Sequence, residues 1–179
     1  VVDTSMGLTP LDGIPMGTRS GSIDPAIIEY ISRKANLTVN EINTILNKKS
    51  GYIGFHHESS DARDLRKAQA EGDKKADLIL RMQEKRIVDY IGSYYAYMGG
   101  CDVLVFTAGI GEKSAQTRLE ICKRLEEPFG IKIDEKVNEE TFGKFGVIST
   151  KDSKIKVLVV PTNEELMIAR DVMRLGNIK

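Results

Sequence analysis

The chain has 179 residues, of which 41% are hydrophobic and 29% charged, a balance that supports one buried core and excludes a disordered chain. Lys plus Arg and Asp plus Glu total 26 each, so no net field draws the chain to nucleic acid or to an anionic membrane. The sequence has no apolar run near the roughly 20 residues that span a bilayer and no charged-then-apolar leader, which predicts a soluble, cytoplasmic protein.

Val1 is not an initiator Met, and Val1 to Met6 reads as the tail of a strand, so the chain is expected to be cut from a longer one. From Gly7 to Ser22 the density of Gly and Pro excludes a helix and predicts a tightly turned loop. Asp24 and Pro25 then start a helix whose buried face is expected at Ala26, Ile27, Tyr30 and Ile31. A second helix starts near Asn40, carries Ile42, Ile45 and Leu46, and stops between Lys49 and Gly51. Residues 51–61 read as a polar loop holding His56 and His57, with Asp64 opening a short helix after it.

The longest helix is predicted over Lys74 to Met98, with Leu80, Ile87, Ile91, Tyr94 and Met98 at helical spacing and Gly99-Gly100 as its stop. Val103 to Phe106 is a continuous apolar run, the pattern of a strand buried on both faces. Ala108 to Gly111 turns out of it, and Ser114 caps a helix bearing Leu119, Cys122 and Leu125. The weaker segment from Ile131 to Thr150 is expected to return a strand or hairpin at Gly146 to Ser149. Val157 to Val160 is a second buried strand, followed by a Pro161-Thr162-Asn163 turn and a helix from Glu164 to Leu175. Alternating strands and helices predict an α/β layer structure with ligands at the C-terminal ends of the strands.

Four constellations carry chemistry. In Gly17-Thr18-Arg19-Ser20-Gly21, two glycines let backbone amides and the Arg19 guanidinium converge on a phosphate or carboxylate; a structural ion pair explains that arginine equally well. Thr107 to Lys113 places Gly109 and Gly111 between a strand and a helix N-terminus, where a ligand can approach the backbone; it is neither a Walker loop nor a dinucleotide fingerprint. Glu164 and Glu165 follow the last strand, placed for Mg²⁺ or simply to complement the helix dipole. Asp61, Ala62 and Arg63 could meet a ribose or a base edge, or merely cap and pair. His56 and His57 do not form a metal motif, and Cys101 and Cys122 read as plain thiols.

Together the wording of Asp3-Thr4-Ser5-Met6-Gly7-Leu8-Thr9-Pro10, Met16-Gly17-Thr18-Arg19-Ser20-Gly21, Phe106 to Glu112 and Pro161-Thr162-Asn163-Glu164-Glu165 resembles the acetate kinase family over nearly the whole chain. The resemblance implies an actin-like ATPase (ribonuclease H-like) fold, a central mixed sheet flanked by helices. Residues 1–179 would be the single C-terminal, nucleotide-binding domain of a two-domain kinase. It implies phosphoryl transfer between ATP and acetate with Mg²⁺, giving acetyl phosphate and ADP, and a homodimer. By motif, Arg19 is the catalytic arginine. Asp61, Ala62, Arg63, Gly109, Ile110, Gly111, Glu112 and Lys113 hold the nucleotide, and Glu164 is the magnesium-side acid.

The family's His-Leu-Gly-Asn-Gly phosphate loop, its catalytic Asp, a second Arg and the acetate pocket lie outside these 179 residues, so the chain alone is expected to be inactive. Propionate or butyrate as substrate, or a non-catalytic dimerisation module, are the alternatives. The chain departs from the family wording at Ser22 (usually Asp), Ala108 (usually Gly), Lys113 (usually Asn) and at Gly54-Phe55-His56-His57, where the family tends to a Ser-Gly pair.

Overall fold

The computed structural model describes residues 1–176, which divide into two compact units, residues 1–99 and residues 100 onward.

The first unit opens with a turned segment without helix or strand through residue 24, so the expected strand over Val1 to Met6 does not form. Helices follow at α1 (Ala26–Ala35), α2 (Val39–Lys48), α3 (Gly51–His56), α4 (Ala62–Ala70) and α5 (Lys74–Met98). Local chemistry sets most of their ends. Thr38 and Glu41 close a capping box on α2, and Asp73 Oδ1 accepts from Lys75 and Ala76 at the start of α5. Gly99 takes the left-handed conformation that ends α5. Tyr52, Leu65, Ala76, Ile79 and Leu80 form the core, with Phe55, Ala62 and Ala68 packed on it.

Three further expectations for this unit are corrected. The α1 face is not buried here, with Ile27 and Tyr30 both exposed. Residues 51–56 are helical, because the first N–H groups of α3 find carbonyl partners in the loop before α1. The cap of α4 is Asp61, three residues earlier than Asp64, and it accepts from the Arg63 N–H at 2.8 Å.

In the second unit the order is β1 (Val103–Phe106), α6 (Ala108–Lys113), α7 (Ala115–Phe129), α8 (Glu135–Glu140), β2 (Gly146–Val147), β3 (Lys156–Val159) and α9 (Glu164–Leu175). The sheet order is β1-β3-β2, with β1 and β3 parallel in the register Val103 to Lys156 through Phe106 to Val159. Strand β2 runs antiparallel to β3, which makes the sheet mixed. Alternation along β3 buries Val157 and Val159 on one face, while Leu119, Ile121, Cys122 and Leu125 are the buried stripe of α7.

Strand β1 is not buried on both faces in this chain: only Phe106 is buried, and Val103 and Val105 are exposed. The 108–111 turn is the first part of a short helix, and the 131–150 segment contains α8 as well as β2. Among the described residues no helix is long and apolar enough to cross a membrane.

Candidate functional site

Each unit holds one part of the expected site. In the first, the arginine loop is suspended by its backbone. The Met16 carbonyl accepts from Tyr52 N–H at 3.0 Å, Gly17 from Ile53 at 3.0 Å and Thr18 from Ser50 at 3.0 Å, while Ser20 N–H donates to Leu46 at 3.0 Å. The start of α3 thus spends its free amides on this loop. The close approach depends on Gly51, whose φ is +59° and whose absent Cβ would lie 2.0 Å from the Met16 oxygen.

A second tether comes from α5: Gln83 Nε2 donates to the Pro15 carbonyl at 2.9 Å, and the buried Tyr52 hydroxyl donates to Gln83 Oε1. Burial raises the Tyr52 phenol above its ordinary range. The Arg19 guanidinium itself is left half-buried. Its one hydrogen-bonding contact among the described residues is Met16 Sδ at 3.5 Å, and no carboxylate pairs with it. Ser22, in the place of the family's usual Asp, donates to Asp12 Oδ1 at 2.6 Å and helps hold that carboxyl below its usual range. A cleft of about 570 Å³ beside the loop is lined by Ser20, Ser22, Lys49, Lys85 and Arg86 among others; Arg19 is not in its wall.

Asp61 and Arg63 grip one another. Arg63 Nη2 donates to Asp61 Oδ2 at 2.6 Å, and these bonds hold the Asp61 carboxyl at about 2. Capping and surface pairing therefore occupy both residues in this state, and Arg63 stands largely in solvent. Ala62 is the first residue of α4. His56 is buried at the end of α3 with Nε2 3.2 Å from Asp73 Oδ2, which corrects its reading as a loop residue; His57 is exposed, in the left-handed cap.

In the second unit, two turns meet at the C-terminal ends of adjacent parallel strands, where α/β sheets bind ligands. Val160 N–H donates to the Phe106 carbonyl at 2.9 Å, and Thr107 Oγ1 donates to the Val160 carbonyl at 2.8 Å. Of the residues expected to hold a nucleotide, Gly109, Ile110 and Lys113 are exposed on α6, and open space surrounds the Cα of Gly109. Gly111 packs against the strand end, where a Cβ would lie 3.1 Å from the Phe106 carbonyl carbon.

Ala108, where the family usually has Gly, sits at φ +57°, a left-handed conformation that costs an L side chain about 1–2 kcal/mol. Glu112 is buried, its Oε1 accepting from Thr162 N–H at 2.7 Å and Thr162 Oγ1 at 2.9 Å; those bonds lower its pKa. Glu164 and Glu165 are exposed in the first turn of α9, which Asn163 caps at 2.9 Å through Leu166 N–H. Mg²⁺ keeps several waters and takes one or two carboxylates plus substrate phosphates. An exposed Glu164 suits that mode, whereas a metal cage of three or more acidic, His or Cys residues is absent among the described residues.

Arg118 is the residue that sequence reasoning missed. It is fully buried, and its five N–H donors all reach acceptors. Nε donates to Asn138 Oδ1 at 2.7 Å; Nη1 to the Gly111 and Glu112 carbonyls at 2.9 and 3.1 Å; Nη2 to the Asn138 and Thr141 carbonyls, both at 2.7 Å. Burial lowers its pKa. The available signal was its place on the apolar stripe of α7, three, four and seven residues before Ile121, Cys122 and Leu125.

The fold is thus of the mixed α/β class, with a glycine-bearing turn at the end of a parallel strand pair. The Acetokinase family model matches residues 1–170, and the chain belongs to that family. It is 57% identical over 178 residues to an acetate kinase of Aster yellows witches'-broom phytoplasma, covering 99% of this chain and 43% of that protein. The crystal structure of Porphyromonas gingivalis acetate kinase matches with a TM-score of 0.87 at 46% identity, covering 95% of this chain and 42% of that one. A propionate kinase from Francisella tularensis matches with a TM-score of 0.86 at 43% identity over 95% of this chain and 43% of that one. The chain therefore spans less than half the length of these relatives.

Proposed function

We propose that this chain is the nucleotide side of an acetate kinase, the C-terminal domain of a two-domain enzyme. In that reading acetate's carboxylate oxygen attacks the γ-phosphorus of ATP, the bond to the ADP oxygen breaks, and acetyl phosphate and ADP leave; the reaction also runs in reverse. The observation that carries it is the meeting of the α6 turn and the Glu164 turn at the ends of β1 and β3, in a chain of this family. In the Gly109 to Lys113 turn the exposed Gly109, Ile110 and Lys113 line the nucleotide while Gly111 and Glu112 seat the turn, and Asp61, Ala62 and Arg63 meet the nucleoside once Arg63 turns from Asp61 to the ligand. Arg19, which pairs with no carboxylate among the described residues, supplies fixed positive charge to the equatorial oxygens that carry the transition state. Glu164 would hold Mg²⁺, which neutralises phosphate charge when bound.

Calorimetry with ADP and Mg²⁺ tests the binding half, and a chimaera of the phytoplasma relative carrying this chain in place of its own matching segment tests the chemistry. Binding plus acetyl phosphate synthesis by the chimaera, with no turnover by the chain alone, is the expected result. No binding together with an inactive, folded chimaera overturns it. The likeness to a propionate kinase keeps a longer acid open as substrate, and rates with acetate, propionate and butyrate in the same chimaera separate the two. We also propose a cytoplasmic homodimer, for which a monomer mass by light scattering would be the contrary finding.

A further inference from the structure

We propose that Glu112 is a positioning residue whose carboxylate locks the α6 turn to the β3–α9 turn, so that nucleotide contacts and the magnesium-side acid are set by one brace. The inference rests on the reading of those two turns as the nucleotide and magnesium sides of the site.

The carboxylate of Glu112 is buried, and both bonds it accepts from the facing turn come from one residue, Thr162, through N–H at 2.7 Å and Oγ1 at 2.9 Å. Thr162 lies two residues before Glu164, directly ahead of the cap residue Asn163. A shift of the carboxylate therefore shifts the start of α9. At its other end Glu112 cannot swing, because its carbonyl accepts from Gly143 N–H at 3.1 Å and Arg118 Nη1 at 3.1 Å. Arg118 is itself fixed by the carbonyls of Gly111, Asn138 and Thr141 and by Asn138 Oδ1.

The turn needs such a brace. Helix α6 has six residues, of which two are glycine and the first is Ala108 at φ +57°. A helix that short is marginal without tertiary support. The bonds of Thr107 and Val160 align the strand ends below the turns but do not join the turns themselves.

If Glu112 touched the nucleotide directly, Thr162 would be irrelevant to it. The test is the affinity for ADP with Mg²⁺, by calorimetry, of Glu112→Ala, Thr162→Val, their double variant and the conservative Thr162→Ser. Each of the first two is expected to weaken binding, Glu112→Ala by roughly tenfold; the double variant should be no weaker than Glu112→Ala, and Thr162→Ser should bind as the parent does. Amide exchange should quicken at residues 108–113 in Thr162→Val while β1 stays protected. Additive losses, or a Thr162→Val variant with parental affinity and unchanged exchange at 108–113, would overturn the brace. If the parent chain fails to bind ADP, the functional reading falls. The exchange measurement alone then decides the brace.

Discussion

The arginine loop of the first unit and the α6 turn of the second solve the same problem, holding a glycine-bearing segment still, by opposite means. The loop around Arg19 is fixed chiefly by main-chain bonds to Ser50, Tyr52, Ile53 and Leu46, which leaves the guanidinium only the Met16 thioether as a partner among the described residues. The α6 turn is fixed largely through side chains, its own Glu112 and the Arg118 of α7, and there the arginine is the scaffold: Arg118 spends all five donors on the protein. Two arginines in one chain thus differ in what their donors meet rather than in charge. The one that meets no carboxylate among the described residues is the one we propose for chemistry, and the one whose donors are all spent sets geometry.

The largest expected effect strikes the side-chain scaffold. Arg118→Met keeps the apolar stripe of α7 but takes the arginine's donors from the carbonyls of Gly111 and Thr141 and from Asn138 Oδ1, while Glu112 and Asn138 keep one backbone donor each; it is expected to cost about 3–5 kcal/mol in urea unfolding. Arg118→Lys should recover little, since an ammonium cannot reproduce a five-donor fork. A loss below about 1 kcal/mol would mean that the buried guanidinium does not hold α6. The main-chain scaffold breaks differently. Gly51→Ala sets a Cβ against the Met16 and Arg19 carbonyls at a positive φ, and a loss of about 2–3 kcal/mol is expected by the same measurement. Gly109→Ala, with nothing within 4 Å, is the control that should leave stability within about 1 kcal/mol.

The same contrast explains what the sequence made legible. Helix α5 was readable to its ends, because Asp73 and Gly99 are local signals that act on their own neighbours. So was the Ser114 cap of α7, whose Oγ accepts from Thr117 N–H at 3.2 Å. Helix α3 was not readable, since its cause is tertiary: its amides are satisfied by Met16 and Gly17, more than 30 residues earlier. Strand β1 has the composition of a strand covered on both faces, yet composition does not say which covering elements lie in the chain at hand. In the candidate site the motif wording picked out Arg19, the 109–113 turn and Glu164. It could not show that the Glu112 carboxylate faces Thr162, because such pairing depends on which two turns the parallel register brings together.

A smaller effect of the opposite sign is expected at Ala108. Glycine there removes the left-handed strain but returns freedom to the unfolded chain, so Ala108→Gly should stabilise by up to about 1 kcal/mol. Destabilisation would show that the alanine methyl makes a contact worth more than the strain.

The smallest effect concerns exposed ion pairs, one in each unit. Asp61 and Asp152 are both held at about 2, chiefly by bonds from Arg63 and Lys132 respectively. A carboxyl lowered on folding contributes stability that is fully present above its unfolded pKa, near 3.9, and is lost as pH falls through the folded value. Neither pair's contribution therefore changes between pH 5 and 8, where it is fully present, and both are lost only below about pH 4. Arg63→Ala should raise Asp61 while leaving it below the ordinary range, because the backbone N–H of residue 63 still donates to Oδ1. Lys132→Ala removes the first cause acting on Asp152, but its bond with Thr150 persists. Carboxyl-carbon NMR titration of the two variants reads both shifts, and at neutral pH unfolding midpoints should move little, as exposed pairs contribute about 0–1 kcal/mol. An Arg63→Ala variant that lost more would mean that this arginine supports α4 beyond its pairing, and that the nucleoside side of the site is as firmly scaffolded as the α6 turn.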